Sequence, residues 1–272
     1  MVVVQRRLGG LLPYKMVFFA SAAAVESVIA RLKSIELVRF FYAAEKSYSS
    51  HLAIRSERSF TICNDLLLPT SQLWDKLAHS TQTDIRKAEA LGERVRIARN
   101  GDAPMEDFLA VFNDFARRKA GVRPISVGLL NYYSPYADRI VLYLDRCPTS
   151  VMLTLRDPTC GRVRGLYNGS RRLTAPAEAR EIGNLNRLLH WDSMRVYKQE
   201  GFRQYDWGGI SQDQNDGRAM FKKAFGGKVV EEYGYLHAGW PPLGFLMQKL
   251  LELTTARGRL ARMSRPTQNL FS

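Results

Sequence analysis

Gly201-Phe202-Arg203-Gln204-Tyr205-Asp206-Trp207-Gly208-Gly209, followed after a polar loop by Phe221-Lys222-Lys223-Ala224-Phe225-Gly226-Gly227, is the stretch whose reading decides the fold. It reads as a helix end, a short strand, a glycine corner, a short helix and the start of a last strand. Glycine tolerates positive φ and close backbone approach where a side chain would clash. Between the two glycine corners, Lys222 falls near a sheet edge, where a cation can stabilise developing negative charge. That placement suggests group-transfer chemistry.

Working upstream, residues 185–199 carry Leu185, Leu188, Leu189, Met194 and Tyr197 on one helical face. Residues 139–144, 150–155 and 162–167 read as three consecutive strands of an antiparallel meander, and 171–184 as a polar loop. The clearest helix runs from Asp102 to Gly121, with Glu106 and Asp107 in its first turn and Arg117, Arg118 and Lys119 in its last. Those signs complement the helix dipole. A shorter helix is expected over 126–133 and a strand at Arg94. Earlier still, 22–33 suits a helix, while 36–42, 51–56 and 59–64 suit short strands. A single long helix capped by Ser71 is expected to run to Gly92 and to separate two halves. Meander strands pair antiparallel and strands joined through a helix usually run parallel, so the sheet should be mixed, with helices on both faces. Where the two modes meet, strands can splay and admit a ligand.

The 272 residues suffice for a large core without covalent staples. Cys63, Cys147 and Cys160 are odd in number and lack CxxC spacing, and His51, His79, His190 and His237 lack ligand spacing. Neither a disulfide framework nor a metal site is expected, and a cytoplasmic setting fits. The net charge of +14 points to a polyanionic partner, such as a tRNA backbone, a coenzyme pyrophosphate or an anionic membrane surface. No apolar run reaches the roughly 18 residues of a membrane span. Arg6, Arg7 and the apolar segment ending in Ser21-Ala22-Ala23-Ala24 outline a secretory signal, but Pro13 and Lys15 interrupt it, and a packed strand or helix is the expectation. Residues 241–253 form a very apolar segment followed by Arg257, Arg259, Arg262 and Arg265; domain packing or a contact with the inner face of the membrane would each use it.

The order of elements resembles the acyltransferase fold of the GNAT superfamily, and the local motifs resemble its FemAB branch. The matching pieces are Trp74 through Arg86-Lys87-Ala88-Glu89 to Gly92, the run Leu188-Leu189-His190-Trp191-Asp192, Tyr205-Asp206-Trp207-Gly208-Gly209, and Phe221-Lys222 to Phe225-Gly226-Gly227. The resemblance implies three regions: an abbreviated first lobe over 1–92, a GNAT-like acyltransferase domain over 93–240, and an apolar helix with a basic tail over 241–272. It implies transfer of an acyl or aminoacyl group from acyl-CoA or aminoacyl-tRNA to an amine, in an envelope or polysaccharide precursor, with no permanently bound cofactor. Lys222 would stabilise the reacting acyl group. Asp206 would accept a proton or bond backbone at the glycine corner, and Tyr205 would donate to a leaving group or pack. Phe221, Asn168, Arg171 and Arg172 would hold the donor, although the glycine pattern usual around coenzyme A is missing after Asn168. His190 is a candidate base or a packed helix residue. The competing class is a non-catalytic binding protein that uses this fold and its basic surface to hold nucleic acid or membrane.

Overall fold

The computed structural model describes residues 1–8, 11–47, 53–210, 216–240, 242–246 and 249. In chain order the strands and α-helices are β1 (Val2–Leu8), β2 (Leu12–Phe18), α1 (Ala22–Ala30), β3 (Leu37–Ala43), β4 (Arg55–Asp65), α2 (Thr70–Asp75), α3 (His79–Glu89), β5 (Val95–Arg99), α4 (Met105–Arg118), α5 (Val127–Tyr133), β6 (Ala137–Leu144), β7 (Cys147–Asp157), β8 (Arg162–Ser170), α6 (Ala179–Gln199), β9 (Gln204–Ile210), α7 (Gly217–Lys223) and β10 (Lys228–Ala238). They divide into a larger unit, built on residues 59–231, and a smaller one, built on 3–58 and the chain from Glu232.

In the larger unit the strands run in the order β4-β9-β8-β7-β6-β5. Short turns join β6, β7 and β8, which pair antiparallel as the meander predicts, whereas β8 and β9, joined through α6, pair parallel. Strand alternation then sends successive side chains to opposite faces. Asn168 of β8 meets α6, while its neighbour Tyr167 meets α4, its ring edge-on to Phe112 at 5.3 Å. On the first face Leu185, Leu189, Met194 and Tyr197 of α6 bury themselves in one core with Ile140, Leu142, Met152 and Val163 of the sheet. The expected α/β mixed sheet with helices on both faces is therefore present.

The smaller unit has strand order β1-β2-β3-β10. Parallel strands need a crossover, and α1 supplies it between β2 and β3. Ser21 begins that helix by accepting a hydrogen bond from the Ala24 N–H. Strand β10 pairs antiparallel with β3, and Val17, Val25, Val38, Phe40 and Tyr235 form the core. The apolar N-terminal segment is thus packed structure, strand in β1 and β2 and helix from Ala22.

Four local expectations change. The long helix ending at Gly92 is two helices, α2 and α3, entered through Pro69 and Ala78 rather than Ser71. A tertiary contact makes the break: the Ala78 N–H donates to the Ala224 carbonyl at 2.8 Å, and the turn around Lys76 packs on the corner after α7. Residues 59–92 consequently pack inside the larger unit rather than ending a separate lobe. The two strands expected over 51–56 and 59–64 are the single strand β4, with His51 and Leu52 outside the described residues. The expected loop of 171–184 holds two 3-10 turns and the first turns of α6, which begins at Ala179. The expected apolar helix and arginine tail lie mostly outside the described residues. Among the described residues no helix is long and apolar enough to cross a membrane.

Gly226 carries the contact that breaks the helix. Its φ is +72°, and a Cβ there would stand 2.2 Å from the Lys76 carbonyl oxygen. Gly226→Ala should therefore lower unfolding free energy in urea by at least ~2 kcal/mol, the scale of a strained left-handed residue. Gly217→Ala, with open space around it, should leave stability unchanged or raise it by up to ~1 kcal/mol. Equal effects at both positions would discount the Lys76 contact.

Candidate active site

The ladder between β8 and β9 is short. Only Arg162, Val163 and Arg164 register with Gln204, Tyr205 and Asp206, although the strands run on to Ser170 and Ile210. Just past the last pair, β8 carries a register shift opposite Leu153 and Thr154, and Gly208 of β9 adopts φ +75°. A Cβ on Gly208 would lie 2.8 Å from the Gly165 carbonyl oxygen, so only glycine fits.

Asp206 sits at the end of this ladder, wholly buried. Its carboxylate accepts from Arg162, with Nε at 2.9 Å, from Arg164 Nη1 at 2.7 Å, from the Thr61 hydroxyl of β4, and from the Gly208 N–H at 2.8 Å. Burial pushes its pKa up, but Arg164 and Arg162, helped by Thr61 and Gly208, outweigh that and hold the carboxyl below its usual range. Of the two roles open to Asp206, the structure shows the backbone bond at the glycine corner. A carboxylate already serving donors from four residues, Arg162 through both Nε and Nη2, is poorly placed to take a proton from an amine.

Lys222, in the last turn of α7, reaches back to this corner. Its ammonium donates to the carbonyl oxygens of Gly208 at 3.0 Å and Gly209 at 2.7 Å. An ammonium has three N–H groups, and the third has no acceptor among the described residues. Burial, then the charge of Arg164, lower the Lys222 pKa to about 8, against a partial counterweight from Asp206.

Behind the lysine lies His190 of α6, packed against Trp207 with ring centroids 4.5 Å apart. Burial first and the Lys222 charge second drive its pKa to about 3, so the imidazole is neutral. Asn168 Nδ2 approaches three acceptors, Val151 O, Asn186 Oδ1 and His190 Nε2, the last at 3.2 Å. That geometry assigns the proton of His190 to Nδ1, which donates to the Tyr205 hydroxyl at 2.9 Å. The hydroxyl in turn points at Met152 Sδ, 3.4 Å away. Tyr205 is 1% exposed and burial raises its pKa, so it packs and bridges rather than meeting a leaving group directly.

Phe221 lies half-buried among Trp207, His190 and Phe225, with the Arg187 guanidinium 5.3 Å over its ring. Arg172, exposed on the 3-10 turn Arg171–Leu173, approaches Arg187 beside Gly183. Arg171 instead donates to Cys147 Sγ at 2.8 Å. The structure therefore brings Lys222, Asp206, Tyr205, Phe221 and Asn168 together through shared neighbours, puts Arg172 beside them through Arg187, and engages Arg171 elsewhere. Sequence reasoning missed Arg162, Arg164, Arg187 and Thr61. The i, i+2 spacing of Arg162 and Arg164 was the available signal, since it puts both on one face of a strand. A separate cavity of about 320 Å³ lies between α3 and the start of α6, lined by Lys87, Leu91, Arg180, Glu181 and Asn184. Lys222 does not line it. Among the described residues no three His, Cys, Asp or Glu side chains gather as metal ligands.

Removing one partner of a buried ion cluster leaves the others uncompensated, at a cost of ~3–5 kcal/mol. Asp206→Ala should lose that much stability in urea at pH 7, whereas the triple variant Asp206→Leu, Arg162→Met, Arg164→Met should recover most of it. Because the folded pKa is depressed, the Asp206 contribution is complete above pH ~4 and disappears as pH falls through the folded value. Wild-type stability should accordingly fall more steeply with acid than that of the triple variant. Parallel acid profiles would remove the cluster from the account.

No protein-family model and no curated protein sequence matches the chain. Solved structures do. The chain is similar to FemX over 90% of its length and 86% of that chain, at TM-score 0.63 and 12% identity. It is similar to the C-terminal domain of a protein assigned as a lysylphosphatidylglycerol synthetase from Agrobacterium fabrum, over 91% and 83% of the two chains, at TM-score 0.54 and 13% identity. L-PGS from Bacillus licheniformis follows, over 91% and 85%, at TM-score 0.52 and 13% identity. At such identities the likeness is one of architecture: the chain has the fold of FemX and of these two further structures, in keeping with the FemAB-like architecture expected from its sequence.

Proposed function

We propose that this protein is an acyltransferase that moves an acyl or aminoacyl group from acyl-CoA or an aminoacyl-tRNA to an amine of an envelope or polysaccharide precursor. The observation that carries this reading is the Lys222 ammonium, held by two backbone carbonyls where the β8–β9 ladder stops, with one N–H left over among the described residues. The fold shared with FemX and with the domain assigned as a lysylphosphatidylglycerol synthetase supports it, since the latter name describes an aminoacyl product.

When an amine attacks an ester or thioester carbonyl, the oxygen becomes a tetrahedral oxyanion, and the C–O or C–S bond to the donor then breaks. A fixed cation donating to that oxygen lowers the barrier by ~3 kcal/mol, comparable with one oxyanion-hole donor. Lys222 suits the task because its other two N–H groups are anchored and its charge needs no reorganisation. Neither Asp206 nor His190 is free to act as base, so the acceptor enters as the neutral amine. Its proton leaves with the donor's departing oxygen or sulfur or passes to water. Phe221 and Arg187 would flank the acyl group, and Arg172 and Asn168 would meet the polar part of the donor.

Lys222→Ala should lower kcat/KM by ~10²–10³ with an unchanged melting temperature, in transfer assays run separately with labelled acyl-CoA and aminoacyl-tRNA. A catalytic cation must be protonated, so wild-type activity should fall as pH rises through about 8. Lys222→Arg, whose guanidinium stays charged, should keep residual activity without that alkaline loss. Full activity in Lys222→Ala would remove the lysine from the mechanism. Absence of transfer from either donor class would leave the binding-protein reading of the same fold.

A further inference from the structure

The smaller unit gathers its exposed apolar side chains at one end. Strands β2 and β3 are parallel and both begin there, α1 returns the chain to it, and β10, antiparallel to β3, finishes there. The Gly239 N–H donates to the Glu36 carbonyl at 2.9 Å and joins the ends of β10 and β3. Leu11, just before β2, is 85% exposed, Ile35, just before β3, 63%, and Trp240, just after β10, 55%. A helical turn over 242–246 follows, seated through buried Gly244 near Ile54 and Ala238, and it leaves Phe245 and Leu246 exposed by 64% and 55%.

Charge is sorted along the same axis. Arg31 and Lys33 stand exposed where α1 arrives, and Lys249 Nζ lies 5.7 Å over the Phe245 ring. Among the described residues, the carboxylates of this unit are elsewhere or engaged, with Glu232 buried in β10. Glu36 is buried against Lys15 at 2.8 Å, Glu26 accepts from Ser47 beyond the far end of β3, Glu45 also lies at that far end, and Glu57 pairs with Arg55.

We infer that this end of the smaller unit docks on an anionic lipid bilayer, with Leu11, Ile35, Trp240, Phe245 and Leu246 entering the headgroup region and Arg31, Lys33 and Lys249 meeting lipid phosphates. Apolar side chains rimmed by cations make a two-part anchor in which neither part suffices alone. An amphipathic indole is suited to the boundary between headgroups and acyl chains. A protein partner accounts less well for the pattern, since protein-contact centres are depleted of charge whereas the exposed charges described around this patch are cations.

The test is sedimentation of the full chain with vesicles of phosphatidylcholine alone or mixed with phosphatidylglycerol, near physiological salt. Binding should require phosphatidylglycerol and weaken with salt. It should fall at least about tenfold in Trp240→Ser, Phe245→Ser, Leu246→Ser and in Arg31→Glu, Lys33→Glu. Trp240 is the exposed tryptophan of the four, because Trp191 and Trp207 are buried and Trp74 is half-buried. Its emission should therefore shift to the blue on vesicle binding in the wild type, and the shift should vanish in Trp240→Phe. Failure to bind phosphatidylglycerol vesicles overturns the inference. So does undiminished binding by the serine variant, which would assign attraction to net charge alone. Wild-type self-association in sedimentation velocity that the serine variant abolishes would also overturn it, by making a second copy of this chain the occupant.

Discussion

The buried carboxylate of Asp206 is the constraint on which the larger unit turns. An isolated ionised carboxylate inside a sheet would protonate or unfold its surroundings, so it persists only with its charge and lone pairs answered. The answers come from three adjacent strands. Arg162 and Arg164 project from one face of β8, Thr61 reaches across from β4, and the Gly208 N–H comes from two residues further along β9. One side chain thus ties β4, β9 and β8 at a single level and also sets the backbone of the residue where the parallel ladder has ended. The carbonyls of Gly208 and Gly209 then hold Lys222. Strand spacing, glycine conformation and lysine position form one chain of dependence that starts at Asp206.

Electrostatics along that chain decide which groups can do chemistry. Lys222 is half-buried and close to Arg164, and both circumstances disfavour its charge, so its pKa comes down toward neutrality without reaching it. His190 feels the same lysine and deeper burial, and loses its charge altogether. A neutral imidazole can then bridge Asn168 and Tyr205 without adding a second cation behind the first. Two basic residues in one neighbourhood end in opposite protonation states because one retains access to carbonyl dipoles and the other is enclosed by aromatic rings. Divergent environments for adjacent titratable groups are a mark of functional sites, although structural networks produce them too.

Much of this was legible in the sequence, and the exceptions have physical causes. The glycine corners and Phe221-Lys222 announce a turn and a positioned cation by residue type alone, and α4 declares both its ends through charge. The meander emerges from strand-length apolar runs between turn residues. Arg162 and Arg164 stayed hidden because arginine on a strand ordinarily marks the solvated face, and its burial depends on a carboxylate forty residues away. The break between α2 and α3 was invisible for a related reason. Nothing local stops that helix, whose turn exists because Ala224 and Gly226 dock against it. His190 was readable as a buried helix residue, but not as the link between Asn168 and Tyr205, because their meeting depends on the register of β7, β8 and β9.

The formal charge of +14 also needs to be divided before it can be assigned to partners. That figure is already net of every carboxylate, so Arg94 with Asp145 and Arg99 with Asp192 add nothing to it, while Arg162 and Arg164 share Asp206 and leave one positive charge buried inside the protein. The exposed remainder is uneven. One group stands on α6 and the turn before it, where Arg172 neighbours Arg187 and Arg187 itself is held by Asp84. Another rims the apolar end of the smaller unit, where the carboxylates are turned away or paired. A cation near Lys222 lowers the lysine's own pKa, as Arg164 does, and so limits how many cations can gather around it. No such penalty applies at the apolar end, where solvent screens each cation from the next. A strongly basic protein of this fold can therefore concentrate exposed positive charge at a surface more readily than around Lys222.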